Sequence, residues 1–380
     1  MLTIADIFRE AGGAYRARFG ERLLPSHRRA MREIETCRTP ARGGHLYACN
    51  HCGERAYRYH SCRHRFCPQC QGDRAEAWVQ AVQQWLLPCP YFLITFTVPE
   101  PLRAHARAHQ RELYDLLFRA AARSLHTLAA DPRYLGAQPG MLAVLHTWTR
   151  DLHLHPHVHF LVTAGGLDGD LWRHAPRRRF LFPGRVLSVL FRAALREGLS
   201  GQGHLDKLPR KVWRQKWVVH VQPAGDGRAV VEYLGRYLFR PPLSNSQLEH
   251  FDGHRVRFRY RDGASKQIHR CTLPVDELLR RFLQHVLPRG FTRVRYYGCF
   301  SPSSRRKLAL ARALLDQTTA ARGESTTSSL RVPAPEPAEP ADGEPADEPR
   351  RCPACGVGRL QRIAVLPREL AMHPPPRAPP

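Results

Sequence analysis

Two patterns in this chain are suited to work on a phosphate: His155-Pro156-His157-Val158-His159 and, further along, Tyr233 and Tyr237. In an extended strand side chains alternate faces, so His155, His157 and His159 share one face while Val158, Phe160 and Val162 take the other. Imidazoles on one face of a rigid strand suit a divalent metal. A strand that is merely histidine-rich is the competing reading in a chain with 21 His. Tyrosines at i and i+4 on a helix project from one face about 5–6 Å apart, so both can reach one phosphodiester; core packing is the ordinary use of such a pair. A phenol with a reference pKa of ~10 is protonated at neutral pH and needs help as a nucleophile. A divalent cation on that histidine face would polarise a non-bridging oxygen and orient a strand for in-line attack. Arg236 and Arg240, on the tyrosine segment, are candidates to hold phosphates.

A third pattern is structural in chemistry. Of 11 Cys, seven (37, 49, 52, 62, 67, 70 and 89) fall in the first quarter, which in a reducing compartment argues for metal over disulfides. Cys49-x2-Cys52 and Cys67-x2-Cys70, separated by 14 residues, predict a four-thiolate structural Zn²⁺ site. Cys62, His60, Cys37 and His45 stand ready to replace one of these ligands or to form a second site. Arg55, Arg58, Arg63 and Arg65 lie between the knuckles, either as DNA contacts or as a solvated surface. Near the other end, Cys352-Pro353-Ala354-Cys355-Gly356 is half a zinc ribbon with no cysteine pair after it. Pairing in trans and a remnant without metal are both open.

The elements that must position these residues can be read from hydrophobic period. Two amphipathic helices, Ile4 to Arg18 and Pro25 to Glu35, precede the cysteines. Tyr91 to Val98, ended by Pro99, is a strand; residues 105 to 129 form a helix; Leu142 to Thr149 is a second strand running into the histidine strand. A hairpin of these two brings His146 near the level of His157 or His159, as a third ligand or as a hydrogen-bonded core histidine. A helix at 183 to 199, a strand at Trp213 to Gln222 and the tyrosine helix at about Gly227 to Arg240 follow. The order strand, helix, strand, strand, helix, strand is that of a ferredoxin-like split unit. The fold class is therefore α+β: an N-terminal zinc-binding domain, then an antiparallel sheet with helices on one face. Later come a hairpin (Val256 to Tyr260, Ile268 to Leu273), a helix from Val275 to Val286, and the run Arg289 to Gly298. In that run Arg293 and Arg295 alternate with aromatic residues, to hold phosphates and stack bases or to form a strand with its apolar side inward. The expected domains are 1–88, 89–312, a disordered Pro-rich acidic linker at 313–350, and a short tail at 351–380 with a disordered Pro-rich end.

Charge narrows the partner. A formal charge of +26 and a pI near 10.5 point to a polyanion and away from an enzyme of small metabolites. Only five of the 59 cationic residues are Lys; an Arg preference suits bidentate phosphate contacts, though a GC-rich genome produces the same preference. No leader pattern and no run of eighteen apolar residues occurs, so the expectation is a soluble cytoplasmic protein with no membrane partner.

Four long motifs, YHSCRHRFCPQCQ, LHTWTRDLHLHPHVHFLVTAGGL, VVEYLGRYLFRPPLSNSQL and RRFLQHVLPRGFTRVRYYG, stand in order in this chain. Through them it resembles the two-tyrosine rolling-circle transposases of bacterial insertion sequences (insertion sequence ninety-one family), within the HUH endonuclease superfamily, over most of residues 30 to 312. The resemblance implies that His157 and His159 hold the catalytic cation, Mg²⁺ or Mn²⁺, that Tyr233 and Tyr237 cut single-stranded DNA at element ends and target, and that each cut leaves a 5′-phosphotyrosine and a free 3′-OH. Rejoining then needs no ATP and no small-molecule substrate. Two tyrosines allow two successive cleavages, in an order the residues do not reveal. A rolling-circle replication initiator or relaxase, and a catalytically inactive zinc-dependent DNA-binding protein, are the competing functions.

Overall fold

The computed structural model describes residues 2–70, 72–177, 179–263, 265–321 and 350–368. In chain order the strands and α-helices are α1 (Ile4–Phe19), α2 (Pro25–Thr36), β1 (Gly44–Cys49), β2 (Arg55–Tyr59), α3 (Gly72–Trp85), β3 (Tyr91–Thr97), α4 (Arg103–Ala108) and α5 (Gln110–Ala130). There follow β4 (Gln138–Trp148), β5 (Leu154–Asp168), β6 (Leu171–His174), α6 (Gly184–Gly201), α7 (Lys211–Arg214), β7 (Val218–Pro223) and α8 (Arg228–Phe239). The remainder is β8 (Leu248–Phe251), β9 (Arg255–Arg261), β10 (Ile268–Pro274), α9 (Val275–Leu283), β11 (Val294–Tyr297), α10 (Arg305–Ala321) and β12 (Leu360–Leu366).

These elements make two compact units that do not follow the linear chain. One combines residues 1–73 and 240–286 with the C-terminal tail; the other combines 74–239 with 287 onward.

The second unit is built on β3, α5, β4, β5, α6 and β7. Its strands lie in the order β11-β4-β5-β3-β7, every neighbouring pair antiparallel, with β6 added to the end of β5. Without β11 this is the fourth, first, third, second strand order of a ferredoxin-like split unit. Alternation along β5 sorts its side chains. Phe160 packs edge-on to Phe96, which meets Phe191 of α6, and α5 packs against α6. The opposite face carries α3, α8 and α10, whose Val82, Val231 and Ala311 close a core with Leu142 and Leu161.

Several elements differ from the sequence-based reading; β4, for one, begins at Gln138 and α9 ends at Leu283. Trp213 falls in the one-turn helix α7, so the strand begins only at Val218. Helix α3 has no counterpart among the expected elements. The helix α10 runs to Ala321, past the expected start of the linker. The Pro-rich acidic stretch from 322 to 349 and the Pro-rich end from 369 lie outside the described residues.

In the first unit α1 opens with a capping box, Thr3 Oγ1 accepting from Asp6 N–H while the Asp6 carboxylate accepts from Thr3 N–H. Phe8 of α1 meets Phe282 of α9 edge-on at 5.4 Å. Two three-stranded antiparallel sheets complete the unit, β12-β1-β2 and β10-β9-β8.

Candidate functional site

Antiparallel pairing of β4 with β5 sets His146 opposite His157 and Val144 opposite His159. His146, His157 and His159 therefore share one face, with ring centroids 4.4 to 5.2 Å apart. One ring nitrogen from each lies within 4.8 Å of the others. Backbone and neighbours orient two of the rings. His157 Nδ1 donates to the His155 carbonyl at 2.7 Å, which leaves the lone pair on Nε2. His159 Nδ1 is hydrogen-bonded to Thr95 Oγ1 at 2.8 Å, because β3 pairs Thr95 with His159; its buried Nε2 has no hydrogen-bond partner. His146 is buried with neither ring nitrogen hydrogen-bonded. Burial lowers the pKa of all three, that of His157 to about 4, and the neighbouring imidazoles push His146 and His159 further down. Three neutral imidazoles with unused lone pairs converge on one point. Such an arrangement is costly to bury unless a cation meets those lone pairs, so the residues fit a divalent metal.

The tyrosine helix lies against this face. Tyr237 stacks on His146 at 4.6 Å and 17°; Tyr233 sits 6.2 Å from His146 and 6.0 Å from His159, and the two phenol rings are 4.9 Å apart. Leu234 and Leu238, on the buried side of α8, pack on Val144. Gly235 is required by α3: a Cβ there would stand 2.3 Å from Val79 Cγ2. Arg293 fixes the end of the helix, donating to the carbonyls of Leu238 at 2.8 Å and Tyr237 at 3.4 Å while lying over Trp148. Those carbonyls belong to the last turn, where a helix leaves acceptors unpaired. Burial, reinforced by the Tyr237 phenol, pushes the Tyr233 pKa up, so this hydroxyl is a protonated donor at neutral pH.

The remaining predicted residues are distributed unevenly. Arg293 is buried, and Arg295 pairs with Asp115 and lies 4.3 Å over the Phe118 ring. Arg295 lies on the face of β11 that α5 covers and so finds internal partners, whereas Arg293 precedes the strand and meets the end of α8. Arg236 is exposed on α8, and Arg240, also exposed, comes one residue after that helix ends. Arg65 is exposed and Arg63 half-buried in the loop leading to Cys67. His155 leaves the cluster to accept from Arg103.

Eight cysteines form two groups of four among the described residues, a second site being one of the arrangements the sequence left open. Cys37, Cys62, Cys67 and Cys70 make one, with Cys62 and Cys70 Sγ 3.6 Å apart; Cys49 and Cys52 join Cys352 and Cys355 in the other. The set Cys49, Cys52, Cys67 and Cys70 is thus divided. Cys49 and Cys52 flank the β1–β2 turn, and β2 then carries the chain ~15 Å away before Cys62 is reached. Arg38 N–H bonds the His60 carbonyl at that far end, which brings Cys37 in. Sequence reasoning also missed Thr95, Trp148 and the helix-capping role of Arg293. Thr95 could have been found by extending the pairing from β4–β5 to β3, and Trp148 by period-two alternation from His146 along β4; the role of Arg293 carries no local signal.

Comparison with known proteins bears on both regions. A family described as "Putative transposase" matches residues 140–307, and one described as "Transposase zinc-binding domain" matches residues 7–98. "Putative transposase y4qJ" of Sinorhizobium fredii is 40% identical, covering 96% of this chain and 95% of its own length. "Transposase for insertion sequence element IS801" of Pseudomonas savastanoi pv. phaseolicola is 34% identical over 70% of each chain. No solved structure matches.

Proposed function

The chain belongs to the IS91 family of insertion-sequence transposases, and from that premise we propose that it cuts and rejoins single-stranded DNA with Tyr233 and Tyr237 as nucleophiles. The observation that carries this reading is the placing of both phenols against one face of three histidines, Tyr237 stacked on His146 and Tyr233 edge-on to His159, where buried nitrogens of His146 and His159 have no hydrogen-bond partner. A tyrosine Oη attacks the phosphorus and loses its proton, the bond to the 3′ oxygen breaks, and that oxygen takes up a proton to leave as the 3′-OH. The product is a 5′-phosphotyrosine that a 3′-OH can later attack, so the phosphodiester energy is kept and strands rejoin without ATP. His146, His157 and His159 would hold a divalent cation, which supplies charge stabilisation at the non-bridging oxygens. Burial keeps these imidazoles neutral and so able to ligate. Thr95 and the His155 carbonyl fix their ring orientation, and Arg293 holds the tyrosine helix by its last turn. Arg236, exposed on that helix, is positioned for a phosphate of the bound strand. Cys37, Cys62, Cys67 and Cys70 are the ligands for the zinc of the N-terminal domain, since a Zn–S bond of ~2.3 Å places tetrahedral sulfurs ~3.7 Å apart, close to the Cys62–Cys70 separation of 3.6 Å.

The test is incubation of purified protein with labelled single strands and duplexes bearing an element terminus. The reading predicts a denaturant-resistant adduct on single strands, abolished by chelation and restored by Mn²⁺. An adduct that forms equally on duplex DNA, or persists after chelation, contradicts it.

A further inference from the structure

The C-terminal tail and the first cysteine knuckle face each other across one sheet. β12 pairs with β1 in antiparallel register, Cys49 opposite Leu360 and Gly44 opposite Leu366. This sets the turn after β1, with Cys49 and Cys52, beside the turn before β12, with Cys352 and Cys355. The two turns are built alike. Each reads Cys-x2-Cys-Gly, and the glycine adopts the left-handed conformation in both, Gly53 at φ 71° and Gly356 at φ 68°. Backbone N–H groups aim at the sulfurs, those of His51 and Cys52 at Cys49 Sγ and that of Gly358 at Cys355 Sγ, at 3.4 to 3.5 Å. The turns are stitched together by Asn50, whose N–H bonds the Arg359 carbonyl while its Oδ1 accepts from Arg359 N–H.

Sulfur spacing identifies the occupant. Cys49 and Cys355 Sγ are 3.7 Å apart, as are Cys52 and Cys352 Sγ, and all four sulfurs lie within 4.8 Å of one another. A disulfide needs ~2.05 Å; four thiolates around zinc at ~2.3 Å need ~3.7 Å. Gly358 belongs to the design too, since a Cβ there would stand 2.4 Å from Cys49 Sγ. Cys352 and Cys355 lie beyond both family matches, which end at residues 98 and 307.

We propose that Cys49, Cys52, Cys352 and Cys355 bind a second zinc ion, so that each chain carries two and the C-terminal tail is clamped to the N-terminal unit by metal. The clamp joins ligands 300 residues apart in sequence. A tetrahedral four-thiolate site leaves no open position, so this zinc closes the zinc ribbon and takes no substrate.

Metal analysis of the full-length protein, expressed with zinc and desalted, tests this. Two zinc ions per chain are expected, falling to one in Cys352→Ser/Cys355→Ser and to one, independently, in Cys62→Ser/Cys67→Ser. One ion in the unmodified protein, or two retained in Cys352→Ser/Cys355→Ser, overturns the proposal. Should the variant fail to fold, thiol alkylation mapped by mass spectrometry on the unmodified protein decides: Cys355 and exposed Cys52 must be protected until zinc is stripped by a chelator. Equal labelling of these two with and without chelator overturns the site. Neither readout depends on DNA cleavage, so failure here leaves the nuclease reading untouched.

Discussion

At the scale of single residues, the histidine face is set by what each ring does with its second nitrogen. His157 uses Nδ1 on a backbone carbonyl and His159 uses Nδ1 on Thr95, so each presents Nε2. Partners of this kind typically change metal affinity about 10–100-fold when removed. Thr95→Val keeps the shape of the side chain and removes only the hydroxyl. The Mn²⁺ concentration giving half-maximal adduct should rise at least about tenfold, with single-strand affinity unchanged; an unaltered Mn²⁺ requirement would show that Thr95 does not orient a ligand. The histidine and tyrosine pairs were visible in the sequence because period two and period four place them without reference to the rest of the fold. The cysteine grouping was not, because Cys352 and Cys355 reach Cys49 and Cys52 only through the β1–β12 pairing.

At the scale of elements, the tyrosine helix is held between α3, against which Gly235 allows close approach, and the segment leading into β11, where Arg293 caps its last turn. Arg293→Ala would leave two buried carbonyls without their donor, an omission that costs about 1–3 kcal/mol. Urea unfolding should register that loss, and fluorescence anisotropy should find single-strand affinity unchanged. Weaker DNA binding at unaltered stability would instead return Arg293 to the interface. Most elements were legible: β3, β9, β10, α1, α2 and α8 fall within two residues of their expected ends. Helix α3 was hidden because it follows directly on the cysteine knuckle, and Trp213 favoured a strand by type although a single turn of helix forms there. The basic aromatic run forms a strand, β11, as one of its two readings allowed, but alternation alone does not say which face of a strand is covered.

At the scale of the whole molecule, the excess of 59 basic over 33 acidic residues fits a DNA-acting transposase, and no helix among the described residues is long and apolar enough to cross a membrane. Acid should destabilise the fold. Burial lowers His27 to about 4, and burial together with the charges of His109 and His204 lowers His105 to about 4, from an ordinary value of 6.5. Between those limits the unfolded chain binds protons that the folded chain does not, so stability is complete above pH ~6.5 and falls as pH drops toward 4. The urea midpoint should be lower at pH 5 than at pH 7.5, and His27→Gln should narrow the difference; a midpoint that rises on acidification would contradict the assignment. The central claim remains that two phenols share one metal-facing site. Its most direct test is peptide mapping of the protein–DNA adduct, compared across Tyr233→Phe, Tyr237→Phe and the double variant. The account predicts a nucleotide attached at Tyr233 or Tyr237 and no adduct from the double variant. A modified peptide elsewhere, or an adduct that survives loss of both hydroxyls, would contradict it.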